Sequence, residues 1–275
     1  MMGIDYRKLF DLSGRTVLLT GGGGYLGAEF ARGYAAHGAN VAILDIDAEK
    51  GQAVADAVAE TYGVGTCALT CNIADPSSVA TALEASRHEL GQIDVLHNNA
   101  ANQSAGLKNE FTPYEEFDLE DWQRVVGVDL QGAFVITQAV GRQMVAAGVR
   151  GSILQTSSIY GALGPDNSIY DGAEFSGKKI CSPAVYSAVK AGSEGLVRWL
   201  ATYWAAHGIR VNALVPGGVE AGQNETFKAQ YSNRVPLGRM ARADEVVGTA
   251  VFLASDGASY ITGQSLFVDG GLSAW

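Results

Sequence analysis

Two short stretches carry side chains whose types and spacing suit chemistry. In Tyr186-Ser-Ala-Val-Lys190 a phenol and an ammonium stand four residues apart, which on a helix puts both on one face. A free phenol titrates near pH ~10, so exchanging a proton with a substrate near neutrality requires a cation beside it. At roughly 6 Å and an effective dielectric near 20, one positive charge contributes about 3 kcal/mol toward that. In Thr20-Gly-Gly-Gly-Gly-Tyr-Leu-Gly27, a glycine-rich turn separates an apolar run from a helical pattern. Such a turn lets a pyrophosphate approach backbone N–H groups at a helix start. Together the two stretches predict hydride exchange with a nicotinamide cofactor, the phenol handling the proton.

A third residue sharpens the cofactor. The second apolar run ends Ala42-Ile-Leu-Asp45. A carboxylate there can accept hydrogen bonds from the adenosine ribose hydroxyls and would repel a 2′-phosphate. Asp47 adds a second negative charge, and neither Gly21–Gly27 nor Asp45–Asp47 contains Arg or Lys. NAD is therefore expected over NADP. Asp45 is also placed to cap the following helix.

The elements that must position these residues alternate along the chain. Strands are expected at Thr16–Thr20, Asn40–Asp45, Gly65–Thr70, Ile93–Asn98, Gly151–Ser157, Arg210–Val215 and Ser265–Val268. Between them lie amphipathic stretches such as Ala48–Tyr62, Pro76–Leu90, Leu119–Ala147 and Pro183–His207. Near-continuous apolar strands between helices indicate a parallel sheet covered on both faces. The expectation is an α/β fold, one doubly wound Rossmann domain over 1–275, with a seven-stranded parallel sheet in the order 3-2-1-4-5-6-7. Two segments depart from the alternation. Gly161–Cys181, rich in Gly, Pro and Asp, reads as an ordered insertion loop, and Gly217–Arg234 as a substrate lid.

Composition narrows the partners. The net charge of −10 argues against nucleic acid, whose backbone selects basic surfaces. No run of ~18 apolar residues is present, so no membrane span is expected. Met1–Phe10 lacks the apolar segment of a secretory signal, and the location expected is cytoplasmic. Cys67 and Cys71 lie four apart in a strand, roughly 13 Å between Cα atoms, too far for a disulfide. The four histidines, His37, His88, His97 and His207, show no metal-ligand spacing, and no metal is assigned.

With these residues in hand the chain resembles the short-chain dehydrogenase/reductase family over nearly its whole length. Beyond the glycine turn and Tyr186-x-x-x-Lys190, the resemblance rests on Asn98-Asn-Ala-Ala101, Ser157-Ser158 and Arg210-Val-Asn-Ala-Leu-Val-Pro-Gly217. Toward the end come Pro236-Leu-Gly-Arg-Met240, Phe252-Leu-Ala-Ser255, Ile261-Thr-Gly-Gln264 and Val268-Asp-Gly-Gly271, similar to the single-domain branch. The glycine spacing looks more like that of the longer epimerases, because Tyr25 stands where the single-domain branch usually has glycine.

The resemblance implies Tyr186 as acid/base, Lys190 as its electrostatic partner and holder of the nicotinamide ribose, and Ser158 as donor to the substrate oxygen. It implies cofactor contacts from Gly21, Gly24, Tyr25, Leu26, Gly27, Asp45, Asn72, Ile73, Asn99, Ala100, Tyr186, Lys190, Pro216, Gly217 and Val219. Asp129 occupies the place of the asparagine that completes many members' catalytic tetrad. Its charge can anchor Lys190 but opposes the base's activation. Ala101 replaces the last glycine of its turn, and Ala221 a threonine that often meets the carboxamide, a contact assigned here to Val219's backbone or to Asn224 and Thr226. A homo-tetramer or homo-dimer is expected.

Ser158 and Tyr186 are 28 residues apart, about twice the spacing of shorter members, so Gly161–Cys181 contains an insertion. It offers Asp166, Asn167, Tyr170, Asp171, Glu174, Lys178 and Lys179, which suit a polyhydroxylated or charged small-molecule substrate. The pattern is similar to members linked with bacterial surface-sugar and flagellin-glycan pathways. An insertion that serves subunit contacts is the plainer alternative. The competing functions are a 3-oxoacyl-thioester reductase, which usually prefers NADP, and a non-catalytic dinucleotide-binding sensor or scaffold.

Overall fold

The computed structural model describes residues 5–102, 112–172, 174–175, 178–179 and 181–275. Five-residue runs such as Thr-Val-Leu-Leu-Thr become strands because every position finds apolar cover. In β1 (Thr16–Thr20) all five residues are buried, with Val17 and Leu19 on one face and Leu18 on the other. The same alternation holds in β2 (Asn40–Asp45). With β3 (Thr66–Thr70), β4 (Val95–Asn98), β5 (Ser152–Thr156), β6 (Arg210–Pro216) and β7 (Ser265–Val268) they form one seven-stranded sheet. Its order is β3-β2-β1-β4-β5-β6-β7 and every pairing is parallel, as the sequence pattern predicts.

Helices cover both faces, each giving one core. On one side α1 (Tyr25–Ala36), α2 (Ala48–Tyr62) and α8 (Ala243–Ala254) pack Phe30, Tyr34, Val58 and Val246 against Val17, Leu19 and Ile43. On the other, α3 (Pro76–Leu90), α5 (Ala133–Ala147) and α6 (Ala184–Tyr203) pack Leu83, Ile136, Met144 and Val197 against Leu18 and Leu96. Asp47 and Asp75 cap α2 and α3, each accepting a first-turn backbone N–H, and left-handed Gly63 ends α2.

Several boundaries differ from expectation. Gly65, Ile93, Gly151 and Ser157 lie outside the strands, and Pro216 extends β6. The helix expected over Leu119–Ala147 is α4 (Leu119–Val126), a π-helical turn at Gly127–Gly132, then α5. The turn is flanked by glycines, and a Cβ on Gly132 would sit 2.8 Å from Ile73, so only glycine lets the helix approach the loop after β3. Cys71 falls just past the end of β3. Among the described residues no helix is long and apolar enough to cross a membrane.

The strand order reverses between β1 and β4, so the loops after these strands diverge and leave a crevice at their carboxyl ends. The loops after β5 and β6 border the same end. Most of the residues that line the crevice sit on these loops, at a strand end or on α6.

Candidate active site

The crevice is a groove of about 650 Å³ that runs from Asp45 to Tyr186. Its first wall is the turn between β1 and α1. Gly21 is left-handed (φ 63°), and a Cβ there would meet the Cα of Ala100 at 2.7 Å. At Gly27 a Cβ would lie 2.1 Å from the carbonyl oxygen of Gly21, so the turn closes only on glycine. No side chain caps the start of α1, which leaves its first-turn N–H groups available to an anion. The opposite wall is pinned to β1: the N–H groups of Asn99 and Ala100 both donate to Thr20 Oγ1 at 3.0 Å.

At the β2 end, Asp45 accepts from the N–H of Gly23 through Oδ2 and from that of Asp47 through Oδ1, each at 2.9 Å. Both oxygens are thereby oriented at the groove's edge. Asn72 uses its amide oxygen to accept from Ala74 N–H, which shapes the turn beside Ile73. Lys50 also lines this end, and its Nζ lies 3.0 Å from Asp47 Oδ2.

At the other end α6 brings Tyr186 and Lys190 together as their spacing predicts. Lys190 is 5% exposed; its Nζ lies 5.5 Å from the centroid of the Tyr186 ring and donates to the carbonyl of Thr156 at 3.3 Å. Behind it, on the π-helical turn, Asp129 places Oδ2 3.8 Å from Nζ, while Oδ1 accepts from Asn102 N–H at 2.6 Å. Burial pushes the Asp129 carboxyl above the usual carboxylate range; Lys190 and the Asn102 N–H offset this in part. Ser158, extended at the end of β5, accepts from Tyr160 N–H at 3.3 Å. Its neighbour Ser157 donates to Glu194 Oε1 at 2.8 Å, and Ser265 donates to Oε2 of the same carboxylate at 2.8 Å. Glu194 thus ties α6 to β5 and β7 one turn beyond Lys190.

Beneath the site runs a buried polar chain. Tyr34 pairs with His97 Nδ1 at 2.9 Å and Thr156 with Nε2 at 2.8 Å. Burial holds His97 down to about 3, so the ring stays neutral and joins α1 to the strand whose carbonyl receives Lys190.

The segments 161–181 and 217–234 meet each other. Tyr170, in a short turn at Asn167–Tyr170, stacks on Phe227 with ring centroids 5.5 Å apart. Asp166 pairs with Arg234, and Gln230 Nε2 donates to the carbonyl of Asp171 at 2.7 Å, so α7 (Glu225–Arg234) is clasped along its length. Tyr231 accepts from Gly218 N–H at 2.5 Å, and burial pushes its phenol up to about 12. Burial raises the phenols of Tyr160 and Tyr170 as well.

A family model described as enoyl-(acyl carrier protein) reductase matches residues 25–273. A D-threitol dehydrogenase of Mycolicibacterium smegmatis is 34% identical over 267 residues, 95% of this chain and 94% of that protein. Among solved structures, a short-chain type dehydrogenase/reductase from Mycobacterium marinum aligns with a TM-score of 0.86 at 31% identity, over 99% of this chain and 100% of that one. The chain belongs to the short-chain dehydrogenase/reductase family. A gluconate 5-dehydrogenase from Burkholderia cenocepacia, crystallised with NADP and tartrate, aligns with a TM-score of 0.84 at 32% identity over 98% of each chain.

Every cofactor position that the family resemblance implies lines the one groove, and so does Ser158. Asp129 does not: it stands behind Lys190 and Asn102 and touches the groove through them. The cap of α2 is Asp47 rather than Asp45, because Asp45 spends both oxygens on the turn. Asn224 and Thr226 lie away from the groove; Asn224 caps α7 by accepting from Phe227 N–H at 2.8 Å. Of the insertion's polar groups, Asp166 turns to Arg234 and Tyr170 to Phe227, whereas the side chains of Glu174, Lys178 and Lys179 lie outside the described residues.

Among the groove residues missed by sequence reasoning are Lys50, Thr156 and Asn102, and behind them stands Glu194. Lys50 sits one turn into α2, so extending the search from Asp47 by a helical repeat would have found it. Glu194 follows Lys190 at the same four-residue step as Lys190 follows Tyr186. Thr156 and Asn102 act through a main-chain carbonyl and a main-chain N–H, and no residue type signals that.

Proposed function

We propose that this protein is an NAD(H)-dependent dehydrogenase that oxidises a secondary alcohol to a ketone, or runs the reverse, on a polar hydroxylated small molecule. The observation that carries the reading is one groove with Asp45 at one end and Tyr186, Lys190 and Ser158 at the other. The groove's donors fit a dinucleotide: an uncapped helix start beside glycines that admit no Cβ suits a pyrophosphate, and a carboxylate suits ribose hydroxyls. When bound, the nicotinamide supplies the two-electron hydride acceptor or donor.

The chain's own residues handle the proton and the position. In the oxidative direction the Tyr186 oxygen takes the proton of the substrate hydroxyl. Lys190, held by Thr156 and Asp129, keeps a positive charge beside that phenol and a donor toward the ribose. Ser158 Oγ donates to the substrate oxygen. Asp129 acts through Lys190 as a positioning group. Residues 1–275 form a single catalytic domain, 161–181 is an active-site insertion and 217–234 covers the substrate; assembly is as a dimer or tetramer in the cytoplasm.

NAD is favoured because Asp45 stands oriented at the ribose end and Lys50, the cation that lines this end of the groove, is occupied by Asp47. The gluconate relative with NADP makes this the point most open to test. Similarity to threitol and gluconate dehydrogenases supports a polyhydroxylated substrate. The deciding experiment follows the absorbance of the reduced nicotinamide with NAD and, separately, NADP, over secondary alcohols, polyols, sugars, sugar acids and an acyl thioester. Expected is NAD-linked turnover that falls by about 10²–10⁴ in Tyr186→Phe while NADH still binds. Preference for NADP would overturn the Asp45 argument. Tight binding without turnover on any substrate would favour the sensor.

A further inference from the structure

Tyr25 is the one aromatic and the one polar side chain within Gly21–Gly27, and the resemblance gives no reason for it. It opens α1, lines the groove and is 54% exposed. Exposure of that order would let a phenol point anywhere in solvent, yet its hydroxyl donates to the carbonyl of Glu220 at 2.9 Å. Glu220 belongs to the segment after β6, on the groove's other bank, where Val219 also lines the groove. The main chain of Glu220 is fixed in turn, because its N–H donates to Ala241 O at 2.8 Å. Its carboxylate receives Lys228 Nζ at 2.7 Å, and Lys228 also reaches Glu225 Oε1 at 3.0 Å in the first turn of α7. A continuous line of contacts therefore runs from the glycine turn, through Tyr25 and Glu220, to the helix that the insertion clasps.

We propose that Tyr25 is a latch that ties the lid over 217–234 to the dinucleotide turn, so that the lid's position and the retention of the dinucleotide are coupled. The coupling rests on the reading of this groove as a dinucleotide site. The physical basis is that glycine at this position, as in the single-domain branch, has no side chain to reach across the groove. Tyr25 makes the lid's first residues and the pyrophosphate-facing turn share one hydrogen bond. Opening either bank requires breaking it, and losing one such bond changes an opening equilibrium by about fivefold. Tyr25 is a positioning residue here and takes no proton from the substrate.

The test uses the full chain and two variants, Tyr25→Phe, which removes only the hydroxyl, and Tyr25→Gly, which removes the reach. Hydrogen exchange of backbone amides is measured without dinucleotide, and the release of NADH is followed by its fluorescence. In Tyr25→Phe the amides of 218–234 are expected to exchange about fivefold faster while those of β2 and α2 keep their rates, and NADH is expected to leave about fivefold faster. Tyr25→Gly should equal or exceed both changes. Parent-like exchange in 218–234, or faster exchange with parent-like NADH release in both variants, overturns the latch. Should the parent itself bind neither NADH nor NADPH, the dinucleotide reading and the coupling fall together, and the exchange data still decide whether Tyr25 holds the lid.

Discussion

The two ends of the groove are held by different means. At the glycine turn the constraint is backbone against backbone: Gly27 faces the Gly21 carbonyl, Gly21 faces Ala100, and two N–H groups converge on Thr20 Oγ1. At the proposed substrate end, side chains from two segments hold one another through the Tyr170–Phe227 stack, the Asp166–Arg234 pair and the Gln230–Asp171 contact. The first arrangement admits no added atom. The second can be rebuilt side chain by side chain without touching the sheet. The glycine turn therefore tolerates little change, whereas the segment 161–181, at the second end, can be altered with the sheet left intact.

The sharpest way to break the comparison is to add one methyl group at the rigid end. In Gly27→Ala the new carbon meets a carbonyl oxygen at 2.1 Å, and that oxygen is backbone and cannot swing away. Relief requires α1 to back off the turn, and overpacking of this kind costs about 1–3 kcal/mol. The expected outcome is up to about a hundredfold weaker binding of NADH in a fluorescence titration, with a lowered Tm. Parent-like affinity would show that the turn is not held by close packing.

A middle-sized effect is expected behind Lys190, at Asp129. Burial raises its carboxyl above the usual value of 3.8, so the folded protein keeps a proton there that the unfolded chain has already lost. The stability linked to that proton is present below about 4 and is lost as pH rises through the raised value. Asp129→Asn removes the loss. Its Tm should exceed the parent's by a few degrees at neutral pH, and the gap should close as pH falls to about 4. The same substitution removes a negative charge beside Lys190, so the limb of the kcat/KM profile that reports the base should move toward acid. A Tm gap that does not vary with pH would mean a packing effect, and an unmoved limb would mean that Asp129 does not tune the base.

What could be read from the sequence follows the same division. The strands, the glycine turn, Asp45 and the Tyr186–Lys190 pair depend on short-range spacing, and each sits where that spacing puts it, whereas the sheet order follows from the doubly wound fold as a whole. The π-helical turn was not legible, because Leu119–Ala147 keeps its apolar period and only the packing of Gly132 on Ile73 exposes the interruption. The clasp between insertion and lid was not legible either. Gln230 and Asp171 are 59 residues apart, and nothing in either segment names the other. Of the polar residues in 161–181 expected to suit a substrate, Asp166 pairs with Arg234 of α7, a contact that the sequence does not signal.

That ion pair yields the smallest effect, and it probes how soft the second end is. Asp166 and Arg234 keep side-chain exposures of 35% and 49%, so solvent screens their attraction. Exposed pairs contribute about 0–1 kcal/mol. Asp166→Asn leaves the amide able to accept from Arg234 and to cap the turn at Asn167–Tyr170, where Ser168 N–H and hydroxyl both donate to the carboxylate. The Tyr170–Phe227 stack, worth about 0.5–1.5 kcal/mol beyond its buried area, is untouched. The expected outcome is a rise in substrate KM of less than about fivefold that disappears near ~1 M salt, where the Debye length is about 3 Å, with NADH affinity unchanged. A large loss that salt does not erase would mean that the pair is a structural joint, and that the substrate end is built as rigidly as the glycine turn.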